Sequence, residues 1–234
     1  ELLVPVAVAC ATAGIIIGVI GATSLGVKFS QGLIDLAGGI LPLALILMMA
    51  ACIILGMGLP TTAAYIITAV LGAQALVEMG VPLIAAHFFI LYFAILSFIT
   101  PPVALAAYAG AGIAKSDPFK TGFTAWRLGL PSFIVPFLFV YDTSLLGQGS
   151  FGEITWAFIT ACIGVISFAA STSGWFIGKL TIIERILWFG IALLLLIPHL
   201  YTDIVGLVFL LIALWIQVFR NRKESMAPGI SPNE

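Results

Sequence analysis

Two short segments of this sequence carry the residue types that bind ions in an apolar setting. The first reads Leu55-Gly56-Met57-Gly58-Leu59-Pro60-Thr61-Thr62-Ala63-Ala64-Tyr65, the second Leu96-Ser97-Phe98-Ile99-Thr100-Pro101-Pro102-Val103-Ala104. Gly56 and Gly58 permit backbone torsions and close approach that a side chain forbids. Pro60 has no N–H and suits the first turn of a new helix. Thr61 and Thr62 put hydroxyls at that helix start, able to cap it or to reach a ligand. Thr100 followed by Pro101 is an N-cap and first-turn pair for a half-helix over about 102–114. A helix end in low dielectric carries partial positive charge and unpaired N–H groups, which suit an anionic group. Carbonyls freed from the preceding half suit a cation such as Na⁺. Pro and Gly also kink packed membrane helices without binding anything. Two hydroxyl-bearing breaks about 40 residues apart point instead to a site.

The rest of the sequence offers little other chemistry. There are no paired carboxylates, no nucleophile beside a base, no metal-ligand cluster and no phosphate loop, and the two histidines stand 112 positions apart. Cys10, Cys52 and Cys162 all lie in apolar segments and read as free buried thiols.

The elements that position these breaks are set by composition. Of 234 residues, 62% are apolar and 8% charged, whereas a soluble domain carries about 25% charged residues to solvate its surface. Nine basic and ten acidic residues cannot cover a globule of this size, nor give the basic surface a nucleic-acid binder needs. The solvent is lipid, and the fold class is an all-α polytopic membrane protein.

A bilayer core needs about 20 helical residues. Residues 4–27 form an uncharged crossing that ends at Lys28, and 83–114 a long segment interrupted by Pro101 and Pro102. Residues 125–141 and 154–172 each read as one crossing, and 186–202 and 204–219 as a shorter pair turning at Pro198, His199 and Asp203. The stretch 41–72 breaks at Gly56–Pro60 into arms of about 15 and 12 residues, each too short to span. It reads as a re-entrant hairpin of two half-helices, the alternative being one long kinked helix. Unwound backbone at membrane depth is tolerated only where protein or a wet cavity satisfies it.

Eight of the nine basic residues, Lys115, Lys120, Arg127, Lys179, Arg185, Arg220, Arg222 and Lys223, fall in loops on one side. The loops 142–153 and 198–203 hold none. The positive-inside rule makes the first side cytoplasmic, with the C-terminus. The tail 224–234 reads as disordered. With Glu1 first and no signal-like leader, the chain reads as a C-terminal fragment of a longer polypeptide.

The strings Gly56–Tyr65, Ala86-His87-Phe88-Phe89 and Ser97–Tyr108, extended by Asp117-Pro118, Lys120–Ala125 and Phe137–Tyr141, resemble the large membrane (permease) subunit of TRAP transporters, in the fused form associated with TAXI-type binding proteins. The resemblance covers about residues 4–145 and assigns no role to 150–234. It implies half of an inverted-repeat, elevator-type carrier. On this basis 1–145 is a second transport repeat, 146–223 are extra transmembrane helices and 224–234 a cytoplasmic tail. The resemblance further implies a Na⁺-coupled importer of small carboxylates in a bacterial or archaeal inner membrane. An extracytoplasmic substrate-binding protein, the remaining N-terminal part of the permease and a small membrane subunit region would be its protein partners, with membrane lipid around it. No cofactor is implied beyond Na⁺ as coupling ion, and no nucleic acid. The residues assigned to substrate and ion are Gly56, Gly58, Thr61, Thr62, Ser97, Thr100, Pro101 and Pro102. Thr61 and Thr100 are the Na⁺ candidates, and the helix ends at Thr62 and Pro102 would face the carboxylate.

Other features read as structural. Gly14 and Gly18 form a close-packing G-x-x-x-G pair, and Gly21, Gly26 and Lys28 a Gly-rich end able to flex. His87 and His199 are interfacial, Glu78 is solvated, and Trp126, Trp156, Trp175, Trp188 and Trp215 form an aromatic belt. The competing functions are a membrane-embedded enzyme, for which the ionisable residues are lacking, and a channel or non-transporting structural subunit, which would use the same breaks without coupling.

Overall fold

The structure is a computed structural model that describes residues 3–197 and 200–226, with side chains for most positions from Ala11 to Phe219. It is all-α. The helices are α1 Leu3–Thr23, α2 Leu25–Ala37, α3 Leu41–Gly56, α4 Thr61–Glu78, α5 Leu83–Leu96, α6 Leu105–Ala114, α7 Pro118–Gly129, α8 Val135–Tyr141, α9 Phe151–Ser173, α10 Ile182–Leu196 and α11 Leu200–Met226. Among the described residues there is no β-strand, only an isolated bridge between Trp175 and Lys179. Four segments, Thr61–Glu78, Pro118–Tyr141, Phe151–Ser173 and Leu200–Phe219, are long and apolar enough to cross a membrane, and the bent α1–α2 pair makes a fifth. The chain divides into two compact units, Glu1–Leu146 and Gly147–Glu234.

In the first unit, α3 and α4 fold back on one another. Gly72 of α4 lies so close to α3 that a Cβ there would overlap Met48. In one continuous helix those residues would stand about 36 Å apart at 1.5 Å per residue. The stretch is therefore a hairpin. Its second arm runs on to Glu78, giving 18 residues and the length of a crossing. The expectation that both arms are too short to span fails for α4, because Ala73–Glu78 continue the helix with Ala73, Ala75 and Leu76 buried. Leu45, Met48, Cys52, Leu76, Phe89, Ile90 and Phe93 form the fully buried centre of this unit. Phe93 joins α5 to α8 through rings whose centroids lie 4.8 Å from Phe89, 5.9 Å from Phe137 and 6.0 Å from Phe133.

Two other boundaries differ from expectation. The first crossing does not end at Lys28. The chain breaks at Ser24, whose backbone is left-handed (φ 54°), and bends by 69° into α2. Lys28 is exposed on that helix, which buries Ser30, Leu33 and Ala37 instead, with the Ser30 hydroxyl donating to the Leu71 carbonyl at 3.1 Å. The crossing expected at 125–141 begins at Pro118. Asp117 caps it, accepting from the Lys120 amide at 2.9 Å, with proline at the first helical position. Lys120 and Arg127 thus lie on a helix and not in a loop.

The second unit closes three helices over its own core of Trp188, Ile191 and Leu195. Trp188 is 1% exposed and its ring centroid lies 4.7 Å from that of Phe176, so it is a core residue and not part of an interfacial belt. No turn occurs at Asp203. Helix α11 runs through it because the carboxylate is buried and accepts from Trp156 Nε1 at 2.8 Å. Pro198 and His199, expected to turn the chain, lie outside the described residues, as do residues 227–234 of the tail, while Glu224–Met226 are helical. Cys162 is exposed, not buried.

Both α9 and α10 start with a capping box. The Ser150 amide donates to Glu153 at 2.8 Å and the Glu153 amide to Ser150 Oγ at 3.4 Å. Thr181 and Glu184 repeat the pattern at 2.7 and 3.4 Å. The guanidinium of Arg185 closes the far end of α9, donating to the carbonyls of Ser171 and Thr172 at 2.8 and 3.1 Å. Ser150→Ala should cost about 1 kcal/mol. Hydrogen exchange should show the loss as faster exchange confined to the first turn of α9.

Candidate functional site

The hairpin tip is a tight turn. Met57 (φ −61°, ψ 120°) and Gly58 (φ 78°) occupy its two central positions, and the Leu59 amide donates to the Gly56 carbonyl at 3.3 Å. This is the type II pattern, which needs positive φ at its third residue and hence glycine there. Pro60 follows in extended backbone, and its carbonyl accepts from the Ala64 amide at 2.9 Å to open α4. The amides of Thr61, Thr62 and Ala63 precede the first bonded turn, and no side chain caps them. Thr61 is half-buried and Thr62 exposed.

The second break follows α5. A single 3₁₀ turn, Ser97–Ile99, closes with the Thr100 amide donating to the Ser97 carbonyl at 3.2 Å. Pro101 and Pro102, joined by a cis peptide, come next. Thr100 is not the N-cap of the second half, nor does Pro102 begin it. The helix restarts only at Leu105, after a buried Ala104 at φ 21°. Two successive prolines remove two N–H donors and push each preceding residue out of the helical region. The Phe98 carbonyl therefore has no helical donor at Pro102. The Thr100 hydroxyl donates backwards, to the Leu96 carbonyl at 2.7 Å, and the buried Ser97 hydroxyl to the Ala94 carbonyl, also at 2.7 Å. Helix α7 covers the break: Gly122 packs on Tyr108 and Gly129 on Ile99, and the Tyr108 hydroxyl donates to the Pro102 carbonyl.

The two breaks meet. A Cβ on Gly56 would lie 2.8 Å from Ser97 Oγ and 3.2 Å from Ser97 Cβ, and one on Gly58 would lie 3.9 Å from Val103. Of the residues singled out from sequence, the fold brings Gly56 onto Ser97 and Gly58 beside Val103. Thr61 and Thr62 lie at the start of α4, and Thr100 and Pro101 stay half-buried within their own segment. No hydrogen bond joins the threonines of the tip to Thr100 among the described residues.

Sequence reasoning missed two polar contacts near the tip. The Tyr65 hydroxyl is 3.0 Å from His87 Nδ1, tying α4 to α5 through a half-buried His87. Thr68, fully buried, donates to the Ala64 carbonyl at 2.7 Å. Tyr65 and His87 both stood in recognisable strings, but nothing in their spacing paired them.

Chemically, the site combines a glycine turn, uncapped helix amides and the Ser97 and Thr100 hydroxyls, whose protons are already donated, leaving their oxygen lone pairs for an acceptor's role. No curated protein and no solved structure matches the chain. The family model described as "Tripartite ATP-independent periplasmic transporter, DctM component" matches residues 1–154. That match covers about two thirds of the sequence, including the hairpin, the broken helix and α7–α8. This multi-pass membrane chain belongs to the DctM family, the permease component of tripartite ATP-independent periplasmic transporters.

Proposed function

We propose that the chain is the part of a TRAP permease that moves small carboxylates inward with Na⁺, using the tip and break as its ion and substrate site. The observation that carries the reading is the seating of Gly56 on Ser97, which brings the ends of two interrupted helices together in one place. Irregular backbone in membrane helices is sustained where it lines a cavity or meets other protein. Paired discontinuous helices are the arrangement in which secondary transporters bind substrate and coupling ion. Lone pairs on Thr61 and Thr100 and the Phe98 carbonyl, which loses its helical donor at Pro102, serve Na⁺. The amides at the start of α4, and those from Leu105 in α6, serve the carboxylate. An extracytoplasmic binding protein delivers substrate, and the rest of the permease with a small membrane subunit completes the carrier. The membrane is a bacterial or archaeal inner membrane, with the basic segments and the C-terminus inside.

The test is uptake by the intact permease in proteoliposomes, supplied with its binding protein. Thr61→Ala and Thr100→Ala should each raise the Na⁺ concentration for half-maximal uptake about tenfold, the equivalent of about 1.4 kcal/mol. Thr100→Ser, which keeps the hydroxyl, should restore it. Substrate flux that ignores the Na⁺ gradient would instead favour a channel.

A further inference from the structure

A mostly apolar cavity with a few polar side chains in its wall lies at the other end of α4. It has a volume of about 330 Å³ and opens where α1 bends into α2. That is at the small end of the roughly 300–1,000 Å³ of ligand pockets. Ser24, Gln31, Gln74 and Glu78 line it, with Ile17 and Ile20 among its aliphatic walls. Val70 to Glu78 lie roughly 13–25 Å along α4 from Thr61, so this cavity is distinct from the hairpin tip.

Its chemistry is specific. Glu78 is the one charged residue among the described lining, and no Lys or Arg is there to neutralise it. Gln74 Nε2 donates to Glu78 Oε1 at 3.2 Å, which holds the carboxylate in place and leaves the Gln74 amide oxygen as an acceptor. Ser24, in its left-handed backbone, makes no capping bond with its hydroxyl. The lining thus offers a carboxylate, two amide oxygens and a hydroxyl, a set of acceptors around one negative charge. A primary ammonium, with three N–H donors and a compact positive charge, complements it.

The walls say what carries that ammonium. Gly14, Gly18 and Gly21 follow one another at helical spacing along α1, and a Cβ at any of them would meet nothing within 4 Å. They form a smooth strip that runs into the cavity at Gly21, flanked by exposed Ile15 and Val19. A strip of this kind on a lipid-solvated helix seats an acyl chain. We propose that the cavity binds an aminophospholipid, its ammonium held by Glu78, Gln31 and Ser24 and one acyl chain lying along the glycine strip of α1. The site stands whether or not the tip and break carry Na⁺.

Headgroup selectivity tests it. The intact permease, purified in detergent and stripped of lipid, is offered palmitoyl-oleoyl phosphatidylethanolamine or the corresponding phosphatidylcholine, and retained lipid is read by native mass spectrometry. Choline has no N–H to donate, so the ethanolamine lipid should be retained about tenfold better, the effect of hydrogen bonds to a charged group. Glu78→Gln should bring that preference close to unity, while Asp35→Asn, an exposed carboxylate outside the lining, leaves it unchanged. Gly21→Leu, at a position where an added Cβ meets nothing within 4 Å, puts a side chain into the lining and should displace the lipid. Equal retention of the two lipids by the unaltered protein would overturn the proposal. So would a preference that survives Glu78→Gln, or equally strong binding of free ethanolamine.

Discussion

Gly56→Ala in the intact permease is expected to cut uptake about fivefold or more, and Gly56→Val further, with the protein still present in the membrane. Overpacking a close contact costs about 1–3 kcal/mol, and each 1.4 kcal/mol is about tenfold in a population. The new Cβ would stand 2.8 Å from Ser97 Oγ, and Ser97 has nowhere to go. It is buried, and its hydroxyl is bonded to the Ala94 carbonyl at 2.7 Å, so rotating away breaks that bond. The tip must lift from the break instead. A double-mutant cycle identifies the cause. In a Ser97→Gly background both atoms that the methyl would strike are gone, and Gly56→Ala should have little further effect. A penalty that persists there would place the fault elsewhere than in the seating of the tip. Uptake and membrane abundance, measured together, separate lost docking from lost folding.

The largest loss of stability should come from Phe93→Ala. Phe93 is fully buried, and its ring meets Phe89, Phe133 and Phe137. Between lipid-solvated helices there is little hydrophobic drive, so packing carries the association. Removing the ring leaves a void whose walls lose their contacts outright. Such truncations cost about 3–5 kcal/mol in well-packed cores, corresponding to a fall of roughly 10 °C in unfolding temperature for a chain of this size. Phe158→Ala, at a side chain 64% exposed, should change it by less than about 0.5 kcal/mol. A thermal scan of the purified protein in detergent compares the two. Similar shifts for both would mean that Phe93 packs no better than a lipid-facing ring.

Much of the layout was legible because lipid makes composition speak plainly. The apolar runs marked helices, and Gly56-Met57-Gly58-Leu59-Pro60 marked a break, although a hairpin and one long kinked helix fit that string alike. What escaped was tertiary. Helix α7 begins seven residues earlier than its apolar run suggests, since Asp117-Pro118 caps a helix that carries Lys120 and Arg127 on its exposed faces. Asp203 looked like a turn because a lone carboxylate in an apolar run ordinarily marks an interface. Its partner Trp156 lies 47 residues away, beyond the reach of any local pattern. Ser24 is a further case: nothing about a serine announces a left-handed residue and a 69° bend. At the candidate site, glycine and proline declared the breaks, but the meeting of Gly56 with Ser97 depends on how α3 crosses α5, which sequence spacing alone does not determine.

The division at Leu146 and Gly147 also bears on where the chain can be cut. From Gly147 to Ser150 every residue is exposed, and Gly147 and Gly149 hold positive φ. On one side lies a unit that contains both breaks, on the other three helices closed on their own core. The family match ends at residue 154, in the first turn of α9. The matched part of the chain is thus the unit that holds Gly56 and Ser97, and the helices from α9 onward pack as a unit of their own. Cleavage within the exposed Gly147–Ser150 segment should therefore release the two units as separate pieces.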